Sequence, residues 1–284
     1  MVSRLLILAV LLLALPASAG AIVPGTNGRI AFDSDHDSTS DIYTVEPDGT
    51  GVLRLTTSRD YEDDPAWSPN GRRIAYIRRQ EVWVMDADGS DQHRVTHMKD
   101  DLADPSWSPD GRRLIFVTID RARDVWTIAP SGSKLRQVTK TRQSEFEPSY
   151  APSGKRISYV RFSGSSNTVI TADPDGSRRK ALPTVPYGTL NANWSPDGRQ
   201  LAQYNADQTL FLTNSDGSDR KAVGYGNSPA FSPDGRFLAF SDQDPEGERG
   251  AIIAKSLQGG DDVKVTPFPG RDLCDNPDWQ TLPR

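Results

Sequence analysis

The sequence predicts an all-β fold: a six-bladed β-propeller of four-stranded blades, in which the C-terminal strand closes the first blade. Three observations predict it. A motif of the form aromatic-Ser-Pro-Asp-Gly-Arg recurs through the chain, with its aromatic residues at Trp67, Trp107, Tyr150, Trp194 and Phe231, spaced by 40, 43, 44 and 37 residues. Periods of this length, each carrying several short strand signals, belong to propeller blades. An incomplete repeat also stands at each end of the series, and the two incomplete repeats complement each other.

The first segment is a leader. Arg4 supplies a positive start, Leu5 to Leu15 form an apolar run, and Ala17-Ser18-Ala19 is a small-x-small cleavage signal before Gly20. The apolar run is too short to span a bilayer comfortably, which takes about 20 residues. Residues 1–19 therefore read as a signal peptide and residues 20–284 as a single propeller, exported to the periplasm or secreted, with no membrane span. No cysteine follows the cleavage signal, so a lipoprotein anchor is not expected.

The repeat at residues 65–94 shows the blade pattern. Pro65-Ala66-Trp67 is a short apolar strand, Pro69-Asn70-Gly71 a turn, and Arg73 to Ile77 an alternating second strand. Glu81 to Met85 form a third strand. The turn at Asp86-Ala87-Asp88-Gly89 follows, because Asp-Gly accepts the positive φ angles of tight hairpins. His93 to Thr96 form the fourth and outermost strand. Outermost strands carry unpaired backbone groups, and a basic residue recurs there: Arg54, Arg94, Arg136, Lys180, Lys221 and Lys264. These read as protection against edge-to-edge pairing. At the ends, Arg29 to Phe32 form a second strand with no first strand before it, and Pro277-Asp278-Trp279 form a first strand with nothing after it. Joined, they complete blade one.

Taken together, these strings resemble the TolB-type, WD40-like propeller repeat. The resemblance covers essentially the whole chain after the leader. It implies a partner-binding protein of the bacterial envelope that uses the channel side of the ring. TolB carries an α/β domain before its propeller, whereas here the repeats begin directly after the leader, so the N-terminal domain is expected to be lacking. Related propellers precede the hydrolase domain of prolyl oligopeptidases, and no such domain is expected here.

Composition excludes several classes. The formal net charge is −5 and no basic stripe stands out, which argues against nucleic acid as a partner. A single cysteine, Cys274, rules out an intrachain disulfide framework; unpaired in an oxidising compartment, it is expected to be buried. No G-x-S-x-G nucleophile elbow occurs, and His36, His93 and His97 lack zinc-helix spacing. Catalytic residues are therefore not assigned.

Two candidate sites remain. Asp33, Asp35, Asp37 and Asp41 place carboxylates at alternating loop positions suited to Ca²⁺, although Ser38 stands where a glycine is expected. The other reading is a solvated loop, rich in Asp because loops are. The second candidate is the channel mouth. The residues before the innermost strands are Asp64, Asp104, Glu147, Asn191, Ser228 and Asn276, with Asp63 adjacent. Asp64, Asp104 and Glu147 are consecutive entries, so one side of the mouth should be acidic. The leading expectation is a monomeric scaffold that binds an envelope protein or peptide at this mouth, with no cofactor unless calcium. The alternatives are an exported propeller enzyme acting on carbohydrate or peptide in the funnel, and a passive structural component.

Overall fold

The computed structural model describes residues 27–282 apart from 37–38, 120–122, 164–166, 184–187, 243–249, 267 and 269–272. The signal peptide expected over 1–19 lies outside the described residues, as does Asp37.

The chain is all-β, and its strands follow the repeat. Blade one opens with β1 (Asn27–Ser34), β2 (Asp41–Val45) and β3 (Leu53–Arg54). Blade two holds β4 (Glu62–Trp67), β5 (Arg73–Arg78), β6 (Glu81–Asp86) and β7 (His93–Arg94). Blade three holds β8 (Leu102–Trp107), β9 (Leu114–Thr118), β10 (Val125–Ile128) and β11 (Arg136–Gln137). Blade four holds β12 (Glu145–Tyr150), β13 (Ile157–Phe162), β14 (Asn167–Ala172) and β15 (Lys180–Ala181). Blade five holds β16 (Asn193–Trp194), β17 (Gln200–Tyr204), β18 (Thr209–Asn214) and β19 (Lys221–Tyr225). Blade six holds β20 (Asn227–Phe231), β21 (Phe237–Asp242), β22 (Ala251–Ser256) and β23 (Val263–Lys264). The final strand, β24 (Cys274–Thr281), pairs antiparallel with β1 and makes blade one four-stranded, in the order β24-β1-β2-β3. Six four-stranded antiparallel sheets result, closed as the two half-repeats require.

The recurring motif is a turn device. In blade three, Ser108 Oγ donates to Asp110 Oδ1 at 2.6 Å and accepts from the Arg113 N–H at 2.9 Å. Asp110 Oδ1 also accepts from the Arg112 N–H, while Gly111 takes a φ of 67°. Blades two, five and six repeat the Ser-to-Asx bond through Ser68–Asn70, Ser195–Asp197 and Ser232–Asp234. The Asp-Gly turns before the outer strands work similarly: Asp48, Asp88, Asp175 and Asp216 each accept from both the N–H and the hydroxyl of the residue two positions on. The sequence signature is therefore largely spent on local geometry.

Each pair of neighbouring sheets shares an apolar core. Ile30, Phe32, Tyr43, Val45, Cys274 and Trp279 of blade one meet Ala239, Ile252 and Val265 of blade six. Between blades two and three the seam holds Ile77, Val84, Leu102, Trp107 and Phe116. The seams beside blade five are leaner: Val160, Val169, Leu182, Ala192 and Leu201 on one side, and Ala202, Leu212, Phe231 and Leu238 on the other. Cys274 is buried against Ser34, in keeping with the expectation.

A second network ties the third strand to the outer one. Asp41 receives Arg54 Nη2 at 2.7 Å and Thr56 Oγ1 at 3.3 Å. Glu81 receives Arg94 and Thr96, and Asp124 receives Gln137 and Thr139. Arg54 and Arg94 thus hold buried carboxylates as well as charging an edge.

Candidate functional site

The innermost strands begin at the channel mouth, and five of the six begin with the same irregularity. Asp64, Asp104, Glu147, Ser228 and Asn276 have φ values of 51°, 54°, 53°, 49° and 50°. Each precedes a proline, and the ladder to the next strand shifts register at that point. Proline has no N–H to give to a ladder, so it sits at a bulge. The residue before it takes the left-handed conformation, which Asp and Asn tolerate better than other residues with a side chain. Recurrent strain of this kind marks positions where side-chain direction matters. Here all five of these entry residues line the channel cavity. Blade five departs from the pattern: Asn191 precedes Ala192, and Asn191 is not among the residues with positive φ.

The entry side chains form a chain of hydrogen bonds around the mouth. Asp64 Oδ2 accepts from the Asp104 N–H at 3.1 Å, and Asp104 Oδ2 accepts from the Glu147 N–H at 2.9 Å. Glu147 Oε2 accepts from Asn191 Nδ2 at 3.1 Å. On the far side, Ser228 Oγ donates to Asn276 Oδ1 at 3.1 Å, and Asn276 Nδ2 donates to Asp33 Oδ1 at 3.0 Å. The chain breaks between Asn191 and Ser228. There Asn191, only 9% exposed, has a buried Oδ1 with no hydrogen-bond partner among the described residues.

Three of the mouth residues expected from the sequence are thus half-buried acids linked in series. Asp64, Asp104, Glu147, Asn191, Ser228 and Asn276 all line one cavity of about 260 Å³ that runs into the channel, past Trp67, Trp107 and Tyr150. Asp63 is not on its wall, and its buried Oδ1 is also without a hydrogen-bond partner among the described residues.

Burial sets the electrostatics. It pushes the Asp64 and Glu147 carboxyls well above the usual carboxylate range, and nearby carboxylates add to the effect: Asp63, Asp104 and Asp33 for Asp64, and Asp104 and Asp275 for Glu147. Asp104 is raised by burial, opposed by the Glu147 N–H and by Arg123. Asp63 is pushed up to about 7 by burial and by Asp104. Asp33 is raised well above its ordinary value by burial, then by Asp275 and Asp63. Desolvation and like-charge repulsion both favour the protonated form. A positive charge at the mouth would act the other way and favour the ionised carboxylates.

The remaining calcium candidates take separate partners. Asp33 faces the mouth through Asn276, Asp35 Oδ1 accepts the Leu273 N–H at 2.7 Å, and Asp41 is held by Arg54 and Thr56. Glu81 and Asp124 repeat the Asp41 arrangement, so Asp41 belongs to the blade scaffold. Among the described residues, no group of three or more His, Cys, Asp or Glu side chains is placed to hold a metal ion.

Two features of the mouth lay outside the sequence expectation. Asp278 lines the channel where the other blades have Ala66, Ser106, Ser149, Asn193 and Ala230. Burial pushes it to about 7, and it accepts the Trp67 N–H at 2.6 Å across the seam between blades one and two. Aligning the repeats column by column would have found it. An exposed aromatic also stands near the mouth: Tyr61, 60% exposed, just before β4. The carboxylates of Asp33, Asp63 and Asp64 act on Tyr61, which puts its ring beside the acidic sector.

Comparison with known proteins places this geometry. The family model described as the TolB β-propeller domain matches residues 22–130. A TolB homologue of Chlorobium luteolum is 37% identical over 62 residues, which is 21% of this chain and 14% of that protein's length. The chain is also similar to the crystal structure of TolB from Acinetobacter baumannii, with a TM-score of 0.73 and 20% identity over 89% of this chain and 66% of that one. A putative TolB from Agrobacterium tumefaciens is similar with a TM-score of 0.71 and 15% identity, covering 92% of this chain and 100% of that chain.

Proposed function

We propose that this chain, a TolB-like six-bladed β-propeller, is a protein- or peptide-binding scaffold of the bacterial cell envelope, exported by its leader, and that the acidic channel mouth is its binding face. The observation that carries the reading is the broken ring of entry side chains. Asp64, Asp104 and Glu147 are half-buried acids that line the channel cavity at positions of left-handed backbone, and Asn191 Oδ1 beside them lacks a donor among the described residues. A protonated amine or guanidinium on an extended segment supplies both the charge and the missing N–H. Tyr61 offers an aromatic surface next to that sector, suited to the aliphatic stem of Lys or Arg.

The test is a pair of short peptides. One has a free amino terminus and Lys or Arg near it; the other is acetylated with Gln in place of the cations. Only the first is expected to bind, and added salt should weaken it mainly through slower association. Asp64→Asn, Asp104→Asn and Glu147→Gln together should reproduce that loss at low salt, while Lys180→Gln, Lys221→Gln and Lys264→Gln on the outer strands should not. Cation binding favours the ionised acids, so it should release protons and strengthen as pH rises, because desolvation holds Asp64, Asp104 and Glu147 above the usual carboxylate range. Calorimetry in buffers of different ionisation heat reads this directly. Equal binding of both peptides would remove the reading.

A further inference from the structure

On the face opposite the mouth, a cleft of about 530 Å³ lies at the seam of blades three and four. Its wall includes Arg112, Arg113, Lys134 and the Tyr150 ring. Comparison of the repeats shows why it is basic. At the end of the third strand stand Glu46, Asp86 and Asp173 in blades one, two and four, but Ala129 in blade three; blades five and six, with Asn214 and Ser256 there, also lack the arginine that opens the second strand of the other four. The Asp-Gly turn that follows carries Asp48, Asp88, Asp175 and Asp216 in blades one, two, four and five, but Ser131 in blade three and Gln258 in blade six. The inner turn of blade four has Ser153 where blades three, five and six have Asp110, Asp197 and Asp234. Three acids are therefore missing around one seam.

Their absence leaves cations unneutralised. The arginine opening the second strand forms an ion pair with that acid in two other blades: Arg29 with Glu46, and Arg156 with Asp173 at 2.9 Å. Arg113 occupies the same place, but its Nη1 reaches only Thr127 Oγ1 at 3.2 Å and the Lys134 carbonyl at 3.4 Å. Arg136 lies close by, with Nη2 on the Pro174 carbonyl at 2.7 Å. Among the described residues none of Arg112, Arg113, Lys134 and Arg136 has a carboxylate within ion-pair distance. The one acid on the wall, Asp110, is held in its own turn by Ser108 Oγ and the Arg112 N–H. A second, independent observation is Tyr150, the only tyrosine at the repeat's aromatic position. It is 8% exposed, and no described group hydrogen-bonds its hydroxyl. Burial raises this phenol, and Arg113 and Arg136 both pull it back, so two guanidinium groups act on one O–H donor.

We propose that this cleft binds a phosphate group, carried on a soluble phosphomonoester or on a lipid headgroup. A phosphomonoester bears close to two negative charges and three acceptor oxygens. Arginine's planar donor fork matches those oxygens, and the Tyr150 hydroxyl supplies a further donor. The volume exceeds that of a lone phosphate, which leaves room for the group that carries it.

The experiment uses the leaderless full-length protein. Titration calorimetry with inorganic phosphate and with glycerol 3-phosphate tests the soluble source; retention on phosphatidylglycerol vesicles, against phosphatidylcholine, tests the headgroup source. Ala129→Asp restores the acid of the neighbouring blades. It should abolish binding while keeping or raising the melting temperature, so the loss cannot be unfolding. Arg113→Gln should weaken binding about tenfold or more, as expected for a charge-assisted hydrogen bond. Tyr150→Phe should weaken it less, with unchanged melting. Binding of either probe class that is lost in Ala129→Asp supports the site, and the class that binds identifies the source. No binding of any probe by the wild type, or binding untouched by both Ala129→Asp and Arg113→Gln, overturns it. The outcome is independent of the peptide reading at the mouth.

Discussion

Blade five and the seam between blades six and one solve the same packing problem differently. At the closing seam, β24 runs eight residues along β1, Trp279 is 4% exposed, and Cys274, Ile30 and Phe32 fill the space behind it. In blade five the innermost strand is two residues long, its Trp194 is only half-buried, and the proline before the strand is replaced by Ala192. Its outer strand β19 has five residues where every other outer strand has two. One blade is tightly keyed at the axis; the other is loose at the axis and extended at the rim. The break in the mouth's hydrogen-bond chain falls at blade five, next to Asn191. Closure is thus reinforced where the chain must meet itself, and the ring is relaxed where the mouth has an open acceptor.

The comparison is sharpest under truncation. Removing residues from Asp278 onward takes Trp279 and the β1 partner together, and should give aggregation or a collapse of the melting temperature, because two sheet edges are exposed. Trp279→Ala should cost about 3–5 kcal/mol in chemical denaturation. Trp194→Ala, at the matching place in blade five, should cost no more than about 2 kcal/mol. Equal costs would erase the distinction.

A pH scan of stability probes the other side of the closing strand, where β24 meets blade two. Asp278 and Asp63 are each raised to about 7 in the fold, while an unfolded Asp titrates near 3.9. The native state therefore keeps these protons longer than the unfolded state. Their stabilisation is complete below about pH 4 and is lost as pH rises through about 7. At 1.36 kcal/mol per pKa unit, Asp278 alone contributes up to about 4 kcal/mol across that window. Asp278→Asn should flatten the profile between pH 5 and 8; an unchanged slope would place the titration elsewhere. The smallest expected effect is kinetic. Amide exchange should be faster in β16 and β19 than in β24 and β1, and protection as strong in blade five as at the seam would contradict the picture.

Much of the fold was legible because the repeat is built from turns whose chemistry is local. Ser108, Asp110 and Gly111 determine their bend without help from distant residues, so spacing and strand order followed directly. The mouth residues were legible for the same reason, as positions before a strand. What the sequence could not display is contact between blades. That Asp104 is bonded by the Glu147 N–H, or that Asp41 is occupied by Arg54 and Thr56, depends on the assembled ring. An acidic mouth also reads from sequence as negative charge, whereas burial raises its carboxyls toward the protonated form. The missing acids at Ala129, Ser131 and Ser153 were visible in the repeats, but only the seam that gathers them gives them meaning.

The β24–β1 pairing has a consequence in time. The hydrogen bond from the Arg29 N–H to Gln280 Oε1 joins residues 251 positions apart. Every other blade can fold from a contiguous stretch of chain, but blade one must wait for a strand made at the other end. Closing so long a loop is entropically costly before its contacts form, and such pairings are slow. Until then β1 presents a bare inner edge, with Ile30 and Phe32 uncovered. The ring therefore has an obligatory last step, and its period of greatest vulnerability to misassembly falls between synthesis of the first blade and arrival of its final strand.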